Sequence, residues 1–191
     1  MNRDNHYEAA FEAFLLARGV AFVAVDEARR TLLGGADVKS VDFIVVGPSD
    51  ARLVVDVKGR RFPGGSADRP VKSWQNWSTG EDVDGLGRWA GVLGPGFRGV
   101  LAFVYQILPP FSLPPDTPDV FPFRDATYLM RGVTVGDYRA AMRPRSRRWG
   151  TVDLPAETFR RVVRPFSDFL APGGPKIPRP PADKMLSGRA V

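Results

Sequence analysis

The 191-residue chain has no cysteine and a single histidine, His6. The first absence excludes disulfide frameworks, thiolate nucleophiles and cysteine zinc sites. The second removes support for a histidine-rich metal centre and leaves a Ser-His hydrolase with no spare base. Long apolar runs are missing too, none approaching the length that spans a bilayer, and the opening MNRDNHYEAAFEAF is too acidic for a secretory or transit peptide. A cytoplasmic protein without membrane association is therefore expected, and the chemistry left open to it runs through oxygen ligands.

What is present suits one globular domain: 43% of residues are hydrophobic and 25% charged, enough for a sizeable core. The net charge of +6 is unevenly spread. Residues 1–138 carry 15 basic and 17 acidic side chains, a net −2, whereas residues 139–191 carry 12 and 4, a net +8. A basic end beside an acidic region suits a polyanionic substrate held by one part and processed by another. The competing explanation is a solvated surface and tail.

Periodicity predicts a helix over HYEAAFEAFLLARG, closed by Arg18 and Gly19, then a strand over residues 20–25 and an irregular stretch to Lys39. Two β-branched runs flank Gly47, Pro48, Ser49 and Asp50, which reads as a hairpin over Val41–Gly59. A Gly-, Pro- and Ser-rich stretch from Arg60 to Gly80 predicts a long excursion, followed by a helix capped by Ser78 or Thr79 and a buried strand over residues 99–108. The helix between the strands suggests a crossover connection. A proline-rich loop, a strand pair around Ala126–Val135, a short helix near Asp137–Met142 and an amphipathic helix near Ala156–Leu170 complete the expected elements. Residues 171–191 have the proline and glycine content of a disordered tail. There is no internal repeat.

The hairpin carries the chemistry. A turn centred near Ser49 sets Asp42 against Asp56 or its immediate neighbour, and strand alternation sends Asp56 and Lys58 to one side and Val55 and Val57 to the other. Two carboxylates facing each other repel, and burying them costs more, so the pair needs a proton or a cation. Mg²⁺, with Mn²⁺ as a substitute, takes oxygen ligands and keeps several waters, so Asp42, Asp56, the backbone carbonyl of Val57 and a phosphate oxygen would suffice to hold it. The duller explanation is a cross-strand salt bridge between Lys58 and Asp42.

With Asp42 and Asp56-Val57-Lys58 on a strand pair, and the order helix, strand, hairpin, helix, strand, the sequence resembles the PD-(D/E)XK nuclease superfamily. Over its first 105 or so residues it is most similar to the archaeal Holliday junction resolvase type, in which an N-terminal helix presents a glutamate ahead of a glycine step into the first strand. Glu8 and Gly19-Val20 occupy those places here. Val41 stands where the eponymous proline would be, and the second acid is Asp rather than Glu; beyond residue 108 the resemblance does not extend.

The resemblance implies an α/β fold with a restriction-endonuclease-like core, a central mixed sheet flanked by helices in the order αβββαβ, occupying residues 1–108, with residues 109–170 as extra strands and helix. It implies a metal-dependent endonuclease acting on DNA, with Asp42, Asp56 and Lys58 as the catalytic set and Glu8 as an auxiliary catalytic and metal-binding residue. Glu12, His6 and Ser40 are further candidates near the site. Lys39, Arg60, Arg61, Arg145, Arg147 and Arg148 are candidate nucleic-acid contacts. Trp74 and Trp77 could stack on bases or pack over the sheet. A module that binds nucleic acid without cleaving it is the alternative, and a homodimer or a larger DNA-processing assembly remains open.

Overall fold

The computed structural model describes residues 5–25, 31–33, 36–38, 41–66 and 68–171. Helix α1 spans His6–Ala17 because Ala10, Phe11, Phe14 and Leu15 recur on one face, where all four are buried, and because the Asn5 side chain accepts the Tyr7 N–H at 3.2 Å as an N-cap. Strand β1 (Ala21–Ala24) follows, then β2 (Thr31–Leu33) and β3 (Ala36–Val38). These last two pair as a hairpin where an irregular stretch was expected; the Gly34-Gly35 dipeptide between them in sequence is a hairpin signal.

Strand β4 (Phe43–Val46) turns through Pro48–Asp50 into β5 (Arg52–Phe62), with Phe43 opposite Val55. The hairpin thus forms in the expected register. The expected excursion starts later than Arg60, since β5 runs on to Phe62 before a small hairpin of β6 (Gly64–Ser66) and β7 (Arg69–Val71). Strand β8 (Ser78–Thr79) leads into α2 (Gly80–Leu93), and β9 (Phe97–Ile107) returns parallel to β5 along its whole length. The crossover is as expected.

The chain continues through β10 (Val120–Phe123), β11 (Ala126–Thr134), α3 (Val135–Ala141), β12 (Arg143–Ser146), β13 (Thr151–Asp153), α4 (Ala156–Val162), β14 (Arg164–Pro165) and a 3₁₀ turn at Phe166–Phe169. Two expectations are corrected. Ala126–Thr134 is one strand, and its hairpin partner, Val120–Phe123, lies inside the proline-rich segment. The last helix stops at Val162, because Pro165 carries no N–H to continue it and disfavours helical backbone at Arg164. The basic segment after α3, for which the sequence predicts no element, is a strand pair.

The main sheet has the order β1-β4-β5-β9-β11-β10, with β14 added on β11; β5 and β9 are parallel and the other pairs antiparallel. One face packs on α1 and the C-terminal turn through Phe11, Phe14, Phe43, Val55, Phe166 and Phe169. The other packs on α2, α3 and α4 through Val54, Leu86, Leu101, Phe103, Tyr138 and Phe159. The result is an α/β fold with a mixed central sheet between helical layers. A second sheet, β12-β13-β8, lies at the start of α2. Among the described residues no helix is long and apolar enough to cross a membrane. The expected tail lies outside the described residues beyond Ala171.

Candidate active site

Strand alternation along β5 sends Leu53, Val55 and Val57 toward α1, and Val54 and Phe62 toward α2. Asp56, Lys58 and Arg60 therefore point into the α2 layer. Asp42 sits in the bend before β4, where its N–H donates to Val55 O at 3.0 Å and its Oδ2 accepts the Val57 N–H at 2.5 Å. The carboxylate stands in for the strand carbonyl that β4, which begins only at Phe43, does not offer Val57. Asp42 and Asp56 are each 5% exposed.

Burial and the neighbouring Asp56 push the Asp42 carboxyl up to about 9; Glu8 adds to the rise, while the Val57 N–H and Lys58 act against it. Lys58 does not pair with Asp42. Its Nζ lies 2.6 Å from Asp56 Oδ2 and 2.7 Å from Asp82 Oδ2. Burial pulls the Lys58 ammonium down, but the two carboxylates outweigh it and the net direction is upward, so Lys58 stays cationic.

Asp82 is the residue that sequence reasoning missed. It occupies the third position of α2, where its N–H donates to Thr79 Oγ1 at 3.1 Å and its Oδ2 accepts from Thr79 N–H at 3.1 Å and Ser78 Oγ at 3.0 Å. This reciprocal cap was legible in Thr79-Gly-Glu-Asp82 as a helix start. That the same carboxylate would reach Lys58 was not, because it depends on where the crossover sets the helix.

Glu8 approaches from α1, 7% exposed, with its Oε1 accepting from the Asn5 amide. Its charge acts on Asp42, so the structure brings Glu8, Asp42 and Asp56 into one electrostatic neighbourhood. Glu12 is half-buried one turn further along α1. His6 Nδ1 lies 2.7 Å from the Tyr128 hydroxyl, and burial together with Arg61 and Arg124 lowers its pKa. Lys39 and Ser40 fall outside the described residues.

The two adjacent arginines separate. Arg60 is 8% exposed, with its guanidinium 3.8 Å over the Trp77 ring and donating to the Gly59 and Trp77 carbonyls. It is committed to the interior and corrects the expectation of a phosphate contact. Arg61 is exposed on the opposite side, bonded to the Tyr7 side chain. Trp74 stacks on Phe62 with ring centres 3.7 Å apart and packs edge-on to Tyr105, whereas the Trp77 ring meets the guanidinium of Arg60 and, at 5.8 Å, that of Arg145. Arg145, Arg147 and Arg148 are exposed on and beside β12.

Among the described residues no three His, Cys, Asp or Glu side chains converge closely enough to hold a metal ion by themselves. The donors at the centre are hard oxygens: Asp42, Asp56 and the Val57 carbonyl, which in a strand points to the same edge as the N–H that Asp42 accepts. A carboxyl pushed up first by burial and then by a second carboxylate is one whose ionised form lacks a counter-charge, a condition that a divalent cation relieves. The donor set therefore fits Mg²⁺ or Mn²⁺ with waters and a substrate oxygen as further ligands. No protein-family model matches the chain, and neither a curated protein nor a solved structure matches it significantly.

Proposed function

We propose that this protein is a metal-dependent nuclease that hydrolyses phosphodiester bonds of DNA on a restriction-endonuclease-like core, as its resemblance to the PD-(D/E)XK superfamily implies. The observation that carries the reading is the pair Asp42 and Asp56, both buried, Asp42 in the bend that leads into β4 and bonded to the Val57 N–H beside Asp56 on β5, with Lys58 held against Asp56. A divalent metal at Asp42, Asp56 and the Val57 carbonyl would supply a water of lowered pKa and a polarised phosphate. Lys58 offsets negative charge growing on the phosphate, and its two carboxylate neighbours keep it protonated for that task. Asp82, 2.7 Å away, also holds the ammonium in place. Glu8 acts as the auxiliary acid.

A second reading, a nucleic-acid-binding module that does not cleave, is favoured by one observation: Lys58 is already satisfied by two carboxylates, so it needs no substrate to explain its burial. Labelled linear, branched and single-stranded DNA incubated with Mg²⁺ or Mn²⁺ separates the two. We expect cleavage by the wild type, its loss in Asp56→Asn and Lys58→Ala with DNA binding retained, and a larger drop for Glu8→Gln than for Glu12→Gln. Binding without cleavage in the wild type supports the second reading. Full cleavage by Asp56→Asn overturns the first.

A further inference from the structure

The turn joining β12 and β13 presents an exposed aromatic ring among cations. Gly150, at φ +56°, donates its N–H to Arg147 O at 3.4 Å, which makes Arg148 and Trp149 the two central residues at the tip. Trp149 is 69% exposed, more than any other large hydrophobic residue among the described ones, and the Arg148 guanidinium lies 5.2 Å from its ring. Two acids of this region are used elsewhere: Asp153 pairs with Arg143 at 2.9 Å and Asp84 with Arg139 at 3.0 Å. Among the described residues Arg145, Arg147 and Arg148 have no carboxylate partner.

This tip is tied to the candidate site. β13 pairs with β8, whose Ser78 and Thr79 hold Asp82, and Asp82 holds Lys58. Cations and rings alternate along the way, with Arg148 near Trp149 and with Arg145 and Arg60 both on Trp77, and Arg60 lies two residues from Lys58 on the same face of β5. Protection of an exposed sheet edge explains Arg143 and Pro144 on β12. It does not explain Arg147, Arg148 and Trp149, which lie in the turn outside the ladder.

We propose that this tip is a docking site for unpaired nucleotides, with Trp149 stacking on a base and Arg145, Arg147 and Arg148 taking the flanking phosphates, so that the substrate carries a single-stranded stretch. The proposal rests on the reading of the neighbouring centre as one that acts on nucleic acid. In a duplex each base is stacked on its neighbours, whereas an unpaired base offers a whole face to an exposed ring. A free two-stranded ribbon could instead enter a major groove, but β13 is paired along its other edge to β8, so this hairpin is one side of a three-stranded sheet.

Fluorescence anisotropy of a labelled oligothymidylate of roughly 20 nucleotides, longer than a single-domain footprint, and of a duplex of equal length tests this in chelator across a salt series. The wild type should prefer the single strand. Trp149→Ala should weaken single-strand binding about 5- to 100-fold, the loss of one base stack, with Trp149→Phe retaining most of the affinity and duplex binding changing less than about twofold. Replacing Arg145, Arg147 and Arg148 with alanine should flatten the salt dependence for both. Unchanged single-strand binding by Trp149→Ala, a preference for duplex, or displacement of the oligonucleotide by polyglutamate at equal charge would overturn the proposal, the last in favour of an acidic protein partner. Because the assay contains no metal and reads no cleavage, failure of the nuclease reading and failure of this one are distinguishable.

Discussion

At the scale of single residues, Asp42 carries the clearest physical consequence. Its folded pKa of about 9 lies above the ordinary carboxylate value of 3.8, so between those limits the folded state binds a proton that the unfolded state does not. The stability contributed by that proton is complete below about pH 4 and is lost as pH rises through about 9. Asp42→Asn keeps an oxygen acceptor for the Val57 N–H and removes the titration. In chelator, therefore, the urea midpoint of Asp42→Asn should exceed that of the wild type by a margin that grows between pH 5 and pH 9. Parallel curves would assign the pH dependence to other groups. The acid pair itself was legible in the sequence, because turn position and strand alternation are local properties; the partner of Lys58 was not, because Asp82 arrives on a separate helix.

At the scale of elements, the seating of α1 on β5 is decided by a residue without a side chain. A Cβ at Gly59 would lie 2.2 Å from the Tyr7 ring, so the ring of Tyr7 fills the space over the strand. Glu8 is the next residue along α1, which makes this contact the one that sets Glu8 near Asp42. Gly59→Ala should cost about 1–3 kcal/mol by overpacking. Tyr7→Ala should relieve much of that cost, giving a double variant less destabilised than the sum of the two singles by about 1 kcal/mol or more in urea unfolding. Additive losses would mean that α1 does not rest on Gly59. The helix and the strand were both legible from periodicity, but which glycine admits which ring depends on how the two elements cross.

At the scale of the whole molecule, the core closes only with the C-terminal end of the described chain. Phe166 packs edge-on against Phe11 at 4.7 Å, Phe169 fills the space over Gly132, and Leu170 is buried in the same cluster. Likewise β11 pairs with β9 from Thr127 to Thr134 and carries β10 and β14 on its other edge, so three strands from residues 109–170 belong to the main sheet. A chain ending at Val163 loses three buried side chains, each worth about 2–5 kcal/mol, against a typical total stability of about 5–15 kcal/mol. It should show no cooperative thermal transition, whereas a chain ending at Ala171 should melt like the full length; a cooperative melt of the shorter chain would show that residues 1–163 fold without the C-terminal turn. The sequence by itself determined the opening helix, the β4–β5 hairpin and its register, and the crossover to β9, because periodicity, turn residues and caps act within a few residues. Only the tertiary structure decided that Arg60 is interior while Arg61 is exposed, that Lys58 answers to Asp82, and that Trp149 is left bare at a turn. In each case the deciding contact, or its absence, comes from elements far apart in the chain, and local pattern carries no record of how those elements pack.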